Sequence, residues 1–508
     1  GHVFSWREEF IAEMVEQLTV NESLIKEILQ DLIKDKIIFC EAESEGRARL
    51  YLAPFYYAEK GVAEKLKELC RYTPRGYDDS VKKALAELEK ETAIKLAEGQ
   101  WEAIRSFLEK NVLVLTGGPG TGKTTTIKSL LFLADKLKQR VALTAPTGRA
   151  AKRIAETTGR EAKTIHRLLE FSAQDGERFR FGRNEDNPLP VDVLIVDETS
   201  MVDLLLMYNL LKALKPGTKV VLVGDVDQVP SVGPGNVLRD IITSGVVPVV
   251  RLQVIFRQAK QSMIVQNAHR INQGVFPILN NKSDFFLIAR EEPQQIVDTV
   301  VELVTKRLPL YLNCSAREDI QVLSPMKRTV SGVDNFNAVL QDRLNPFDKK
   351  KGELQIGAIK FRAGDKVMQV RNDYQKLVFN GDIGIIDRID FEEKEVYVNY
   401  PEIDGIRTVV YDYSELDELT LAYATSVHKS QGSEYRAVVL VLTTQHYMML
   451  QRNLVYTAVT RAKDLVVIVG TKKALYIALK NNKQEERRTW LSRKLQKCFA
   501  MDNLRLFD

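Results

Sequence analysis

Cysteine is scarce in this 508-residue chain, and Cys40, Cys70, Cys314 and Cys498 lie far apart with no Cys-x-x-Cys pair among them. That spacing argues against a zinc ribbon or a disulfide framework and predicts a reducing, cytoplasmic setting. Long apolar runs are missing too. The longest, such as Val246 to Val250, are strand-length. They fall far short of the ~20 residues a membrane helix needs, so no membrane partner is expected. Neither sign of charge dominates: 73 basic against 68 acidic side chains leave a net +5. This is too mild to name a polyanion partner, and any nucleic-acid contact must come from charge gathered in one groove. There is no repeat or low-complexity segment. A basic region leading into an apolar signal segment is absent at the N-terminus. The chain opens on Gly1-His2 rather than Met, which looks like a tag remnant and predicts a native start further upstream.

The composition that is present is that of a globular protein, 44% apolar and 28% charged. At roughly 100–200 residues per domain the length predicts three or four domains. Phe10, Ile11, Met14, Val15 and Leu18 recur at helical spacing, as do Leu24, Ile25, Ile28, Leu29 and Leu32. Two short apolar pieces follow, Ile37 to Phe39 and Leu50 to Leu52, separated by a polar turn. Residues 1–80 are therefore read as a mainly helical, winged-helix-like region, with a linker near Pro74 and Gly76.

Over 81–257 short apolar runs alternate with helical stretches. The runs are Val112–Leu115, Val141–Leu143, Val193–Val196 and Val220–Val223. This pattern predicts a parallel sheet covered on both faces. A second set, Ile320–Leu323, Val438–Leu442 and Leu465–Val469, predicts a second α/β domain built from 258–349 and 418–508. Two insertions break the rhythm. Residues 171–190 read as a β-hairpin around Asp175-Gly176. Residues 350–417 carry short β-like pieces and Gly-marked turns, which predict a small β-barrel.

The chemistry is concentrated in a few strings. Gly117-Gly-Pro-Gly-Thr-Gly122-Lys123-Thr124 follows a strand and opens a helix, the context a phosphate-binding loop requires. Its glycines let backbone N–H groups curl round phosphate oxygens, and the helix N-terminus adds positive potential. Gly118, Pro119, Gly120, Thr121, Gly122, Lys123, Thr124 and Thr125 are the expected nucleotide-binding positions. Lys123 is placed to reach the outer phosphates and Thr124 to hold Mg²⁺. A chance match occurs on the order of once in a hundred chains of typical composition. Val193–Val196 then ends in Asp197 and Glu198. A buried strand seldom ends in two acids unless they meet a cation or water. Asp197 is the expected second Mg²⁺ ligand and Glu198 the group that orients or deprotonates the attacking water. Gln228, after Val220–Val223, is a candidate sensor of the γ-phosphate.

These strings, taken together, resemble a family. Gln100, Gly117–Thr124, Ala145-Pro-Thr-Gly-Arg149, Thr164-Ile-His166-Arg167, Asp197-Glu-Thr-Ser and Gly224-Asp-Val-Asp-Gln228 come in order. Phe256-Arg257-Gln, Ser426-Val-His428-Lys429-Ser-Gln431-Gly432-Ser-Glu434 and Val455-Tyr456-Thr-Ala-Val-Thr460-Arg461 follow. The series is similar to the ordered motifs of superfamily 1 helicases, in detail the RecD-like group, including stand-alone RecD-type helicases related to the exonuclease V alpha subunit. The resemblance implies two RecA-like domains with ATP between them, a hairpin in the first and an SH3-like barrel in the second. It implies DNA unwinding with 5′ to 3′ movement on single-stranded DNA, at single-strand/duplex junctions, in repair and recombination. A monomer is expected to be the active form. By resemblance Gln100 reads the adenine edge, Phe256 stacks on the base, and Arg257 and Arg461 reach the γ-phosphate from the second domain. Such arginine fingers are worth on the order of 10³–10⁵ in rate.

Strand contact requires phosphate contacts and stacking rather than a base code. The expected positions are Thr144, Thr147, Arg149, His166 and Arg167 in the first domain and Thr425, His428 and Lys429 in the second. Phe179 and Phe181 in the hairpin are either a separation wedge or the hairpin's own packing. Two other readings stay open: an RNA helicase or translocase of the same superfamily, and a nucleotide-switched binding protein. No separate set of acids and lysine suggests a nuclease.

Overall fold

The apolar runs in the middle of the chain become the central strands of two parallel sheets. In the computed structural model, residues 43–46, 73–78, 93–95, 175–177, 257–260, 281–283, 350–351, 374, 403–404, 483–486 and 505–508 lie outside the described part of the structure. The first sheet has six strands in the order Val249–Leu252, Val112–Gly117, Lys219–Gly224, Val193–Val196, Val141–Ala145 and Lys163–Thr164, all neighbours parallel. Every residue of Val193–Val196 and Lys219–Gly224 is buried. The alternation is strict. Val112, Val114, Leu194, Val196, Val220 and Leu222 enter one cluster, while Leu113, Leu115, Val193, Ile195, Val221 and Val223 enter the opposite one. Burial on both faces is why these strands read as continuous apolar runs. Each such side chain contributes about 1.5–3 kcal/mol.

The second parallel sheet has five strands, in the order Phe285–Ala289, Ala462–Gly470, Tyr435–Leu442, Ile320–Leu323 and Ala424–Thr425. Between its members lies an antiparallel insertion ordered Gly405–Asp412, Glu395–Glu402, Ile383–Asp390, Lys366–Gln369 and Leu419–Leu421. The expected barrel is corrected here. The two outer strands do not pair with each other, so the sheet is open. Closure is unnecessary because its inner face is already covered. Val367, Val396, Val398 and Tyr411 share one buried cluster with Val322, Val439 and Val467 of the parallel sheet.

The N-terminal region combines helices Arg7–Leu18, Glu22–Lys34 and Ala53–Arg71 with a three-stranded sheet. The hairpin Ile38–Ala42/Ala48–Leu52 gains Phe4–Trp6 as a third strand, its Phe4 opposite Tyr51. Helix Ala53–Arg71 lies against helix Leu204–Lys212 of the first domain, with Ala58, Val62 and Leu66 beside Met207 and Leu210. The approach is close enough that a Cβ on Gly61 would fall 2.1 Å from the Tyr208 ring. The last helix, Leu491–Leu504, crosses back from the second sheet and places Leu491 and Leu495 in this same cluster. No described helix is long and apolar enough to cross a membrane. Among the described residues no group of three His, Cys, Asp or Glu side chains is arranged to hold a metal on its own.

Candidate functional site

The strand Val112–Gly117 runs into a tight loop and then into helix Lys123–Lys136. Gly120 and Gly122 take φ of 71° and 83°, a left-handed backbone that only glycine adopts without strain. Lys123 Nζ folds back over the loop and donates to the carbonyls of Gly117 (2.5 Å) and Gly118 (3.0 Å). Thr121 Oγ1 donates to Gly118 O at 2.8 Å. An ammonium held only by two loop carbonyls can exchange them for phosphate oxygens at little cost. Thr124 and Thr125 lie in the first helical turn, half-buried.

Asp197 and Glu198 sit where the neighbouring strand ends. The Asp197 amide donates to Thr144 O at 2.8 Å, which fixes the strand end. Glu198 is left-handed, at φ 49° and ψ 39°, a strain that costs a non-glycine residue about 1 kcal/mol or more. The strained turn keeps the Glu198 side chain buried. Burial, reinforced by Glu198 and opposed by Arg153, pushes the Asp197 carboxyl up to about 6. Arg153 binds two carboxylates at once, Glu198 Oε1 at 3.4 Å and Glu434 Oε1 at 2.6 Å. Gln228 Nε2 donates to Asp225 Oδ2 at 3.3 Å, while Gln228 Oε1 and Ser200 Oγ are buried without a hydrogen-bond partner. Ser200 N lies 3.2 Å from a Cβ placed on Gly224, just ahead of Asp225. Two carboxylates, an exchangeable lysine and two polar atoms without a partner among the described residues fit a triphosphate with Mg²⁺, which Thr124 and Asp197 would hold.

Side chains from helices Arg452–Val459 and Met263–Asn272 of the second domain close over this site. Tyr456 OH donates to Asp225 Oδ2 at 2.7 Å. His269 Nε2 donates to Pro119 O at 3.3 Å. A Cβ on Gly118 would meet Tyr456 OH at 3.0 Å and His269 Cε1 at 3.1 Å. One residue beyond Gln228, the Val229 amide donates to Thr457 Oγ1 at 2.9 Å, and Gln431 Nε2 donates to Val229 O at 2.7 Å. Arg461 is buried and, among the described residues, its guanidinium bonds only to neutral groups of its own domain: Thr457 O at 3.2 Å, Thr460 Oγ1 at 3.3 Å and Ser433 O at 3.4 Å. Its charge nevertheless reaches the Tyr456 hydroxyl, which burial and Asp225 push far above the ordinary phenol range. Arg257 lies outside the described residues. Phe256 donates from its backbone to Gly120 O at 3.3 Å, and its ring covers Gly122 beside the Gln100 amide. In this structure the Gln100 Oε1 accepts from Ala97 N at 3.0 Å and its Nε2 donates to Gly122 O at 3.4 Å. Each end keeps one donor or acceptor position for an adenine edge.

The expected strand-contact residues divide into two groups. Thr144 is buried, its hydroxyl donating to Lys163 O at 2.7 Å, and Thr425 is buried as well. The Thr144 hydroxyl is thus spent inside the fold, whereas the buried Thr425 Oγ1 has no hydrogen-bond partner among the described residues. Thr147 caps helix Gly148–Thr158, accepting from Ala150 N, and lies 2.9 Å from a Cβ placed on Gly432. Arg149 crosses to the second domain, donating to Ser433 Oγ at 2.7 Å and Tyr435 OH at 3.0 Å. His166 is half-buried between Phe171 and Phe181, and that burial lowers its pKa. Phe171 and Phe181 also contact each other at 4.7 Å, so Phe181 belongs to the packing at the hairpin's base. The Phe179 side chain lies outside the described residues. Arg167 and Lys429 are exposed, and His428 is half-buried.

Four side chains at this site carried no role in the sequence: Arg153, His269, Glu434 and Tyr456. Arg153 was findable, since it follows Arg149 by four residues and so shares its helix face. His269 lies in helix Met263–Asn272 with no motif around it.

Comparisons with known proteins agree with this geometry. Residues 100–234 match the AAA domain family, 336–400 the ATP-dependent RecD-like DNA helicase SH3 domain, and 421–469 the UvrD-like helicase C-terminal domain. The chain is 36% identical over 456 residues to the ATP-dependent RecD2 DNA helicase of Deinococcus radiodurans, covering 89% of this chain but only 59% of that protein's length. It is 32% identical over 486 residues to the RecBCD enzyme subunit RecD of Mycolicibacterium smegmatis, covering 88% of this chain and 82% of the relative. Among solved structures, the Pif1 helicase from Candida albicans aligns over 82% of this chain at 20% identity and a TM-score of 0.45. With a relative so similar along most of both lengths, the chain belongs to the RecD-like group of superfamily 1 helicases.

Proposed function

We propose that the protein is an ATP-driven DNA helicase that moves 5′ to 3′ on single-stranded DNA and opens the duplex ahead of it. The observation that carries this reading is the bridging of one phosphate loop by two domains. Tyr456 and His269, on helices of the second domain, touch Asp225 and Pro119 of the first. Family membership supports the DNA substrate and the direction of travel. Both halves of the site come from one chain, which supports a monomer as the working unit.

In this mechanism Lys123 exchanges Gly117 O and Gly118 O for phosphate oxygens. Thr124 and Asp197 would hold Mg²⁺, which would supply neutralisation of phosphate charge. Glu198, fixed by its strained backbone and by Arg153, orients the attacking water and takes its proton. Gln228 fills its unpartnered Oε1 by bonding to that water. Arg461, with only neutral partners, turns toward the charge that develops on the γ-phosphate, and Arg257 does the same by family likeness. Strand movement follows because Arg149 and Arg153 tie the first domain to Ser433, Glu434 and Tyr435, next to Lys429. Opening each base-pair step costs roughly 1.4 kcal/mol, about a tenfold population penalty, so net unwinding needs such directional coupling.

The test is ATP turnover with and without single-stranded DNA or RNA, in the native protein and in Lys123→Ala. DNA-stimulated turnover that Lys123→Ala abolishes while retaining strand binding is the expected result. Turnover indifferent to any strand contradicts the motor reading, and stimulation by RNA alone transfers it to an RNA track.

A further inference from the structure

The carboxyl edge of the second parallel sheet carries a surface that the ATP site does not use. Three adjacent strands, Tyr435–Leu442, Ile320–Leu323 and Ala424–Thr425, each end there in a loop. The loops are stitched together. Ser324 N donates to Thr425 O at 3.1 Å, Ser324 Oγ donates to Ser331 O at 2.8 Å, and Ser331 Oγ lies 3.4 Å from His446 Nε2. In parallel α/β sheets this edge is where ligands gather.

The loop after Tyr435–Leu442 is built in an unusual way. His446 is fully buried and held neutral by that burial, its pKa pushed down to about 4. It plugs the loop to the sheet, while the next two residues, Tyr447 and Met448, point outward at 65% and 80% exposure. The neighbouring loops add Lys327, Arg328 and Lys429, all exposed. Among the described residues none of these three cations forms an ion pair, and the charge of Lys327 is felt at Lys429. The surface also continues onto the first domain, because Gly432, three residues after Lys429, abuts Thr147.

We propose that Tyr447 and Met448 form a stacking platform for a base of single-stranded DNA, whose phosphates are held by Lys327, Arg328 and Lys429. An exposed aromatic ring on a loop anchored from below, with cations on the neighbouring loops that form no ion pair among the described residues, is the combination that grips a strand without reading its sequence. The charge selects a polyanion over an apolar peptide. The inference rests on the helicase reading above and extends its track beyond the positions expected from the motifs.

Fluorescence anisotropy of a labelled oligo-dT with the full chain, titrated at several salt concentrations, separates the parts. Tyr447→Ala lowers affinity about tenfold with an unchanged salt slope, because stacking releases no counterions. Tyr447→Phe keeps the ring and binds as the native chain does, which a folding defect at this loop would not allow. Lys327→Ala and Lys429→Ala each flatten the slope of log K against log salt by about 0.7. If the native chain binds oligo-dT and Tyr447→Ala binds it equally well, the platform is overturned and the surface passes to a protein partner, with the helicase reading intact. If the native chain does not bind single-stranded DNA at all, both fall.

Discussion

Arg153 is the residue whose loss the structure makes most informative. Its guanidinium spans Glu198 at 3.4 Å in the first domain and Glu434 at 2.6 Å in the second. Glu434 keeps a second cation, Lys463 at 3.4 Å, whereas Glu198 is buried and has no other ion-pair partner among the described residues. Removing Arg153 therefore falls chiefly on Glu198. A charge-assisted hydrogen bond to a buried group is worth about 1.5–3 kcal/mol. The arginine side chain is 36% exposed, so screening reduces this to about 1–1.5 kcal/mol. Arg153→Ala should then lower kcat of the strand-stimulated ATPase about 5–10-fold, at a KM for ATP within twofold of the native value. Arg153→Lys reaches one carboxylate but not both, and should recover only part of kcat. Steady-state turnover over a range of ATP, at saturating single-stranded DNA, reads both constants. A raised KM with unchanged kcat would refute the reasoning, because it would place Arg153 in nucleotide binding rather than behind the base.

Two further outcomes follow from other contacts. Tyr456→Phe removes the 2.7 Å bond to Asp225 that spans the two domains; kcat/KM for ATP should fall about tenfold with little change in melting temperature, and an unchanged kcat/KM would show that the bond does not hold the cleft shut. Asp240, buried beside Glu59 and Thr489, has its carboxyl pushed up to about 7, first by burial. The folded chain keeps that proton between about pH 4 and 7 while the unfolded chain loses it, so stability falls as pH rises through this window, by at most ~4 kcal/mol. Asp240→Asn should flatten the fall in melting temperature from pH 5 to pH 8, and parallel melting curves for the two proteins would contradict the assignment.

How much of this was legible in the sequence depends on what each feature is made of. Val193–Val196 has the bounds its apolar run implies, because a strand buried on both faces has no polar residue to blur its ends. Ile320–Leu323 keeps its expected bounds although it carries Gln321, whose buried amide is spent on Ala422 O and Tyr423 O. The insertion's strands were legible as alternating pieces, but closure was not. Whether an outer strand finds a partner depends on what else covers the sheet, and here the parallel sheet's own cluster does so. Phe4–Trp6 was missed as a strand because three residues carry no period, and only Tyr51, Leu50 and Arg49 opposite them define it. The phosphate loop announced itself through glycine spacing that backbone geometry demands. The groups that cross the cleft did not, since His269, on helix Met263–Asn272 of the second domain, reaches Pro119 only through the docking of one domain on the other. Thr144 illustrates the converse: its motif position suggested a surface role, while its hydroxyl is consumed inside the fold.

Unwinding of matched duplexes bearing either a 5′ or a 3′ single-stranded tail, with ATP turnover recorded in the same reactions, tests the central claim most directly. The account predicts ATP-dependent strand separation from the 5′-tailed duplex alone, lost in Lys123→Ala. Separation only from the 3′-tailed duplex would contradict the proposed direction, and strand-stimulated turnover without separation from either would contradict the helicase itself.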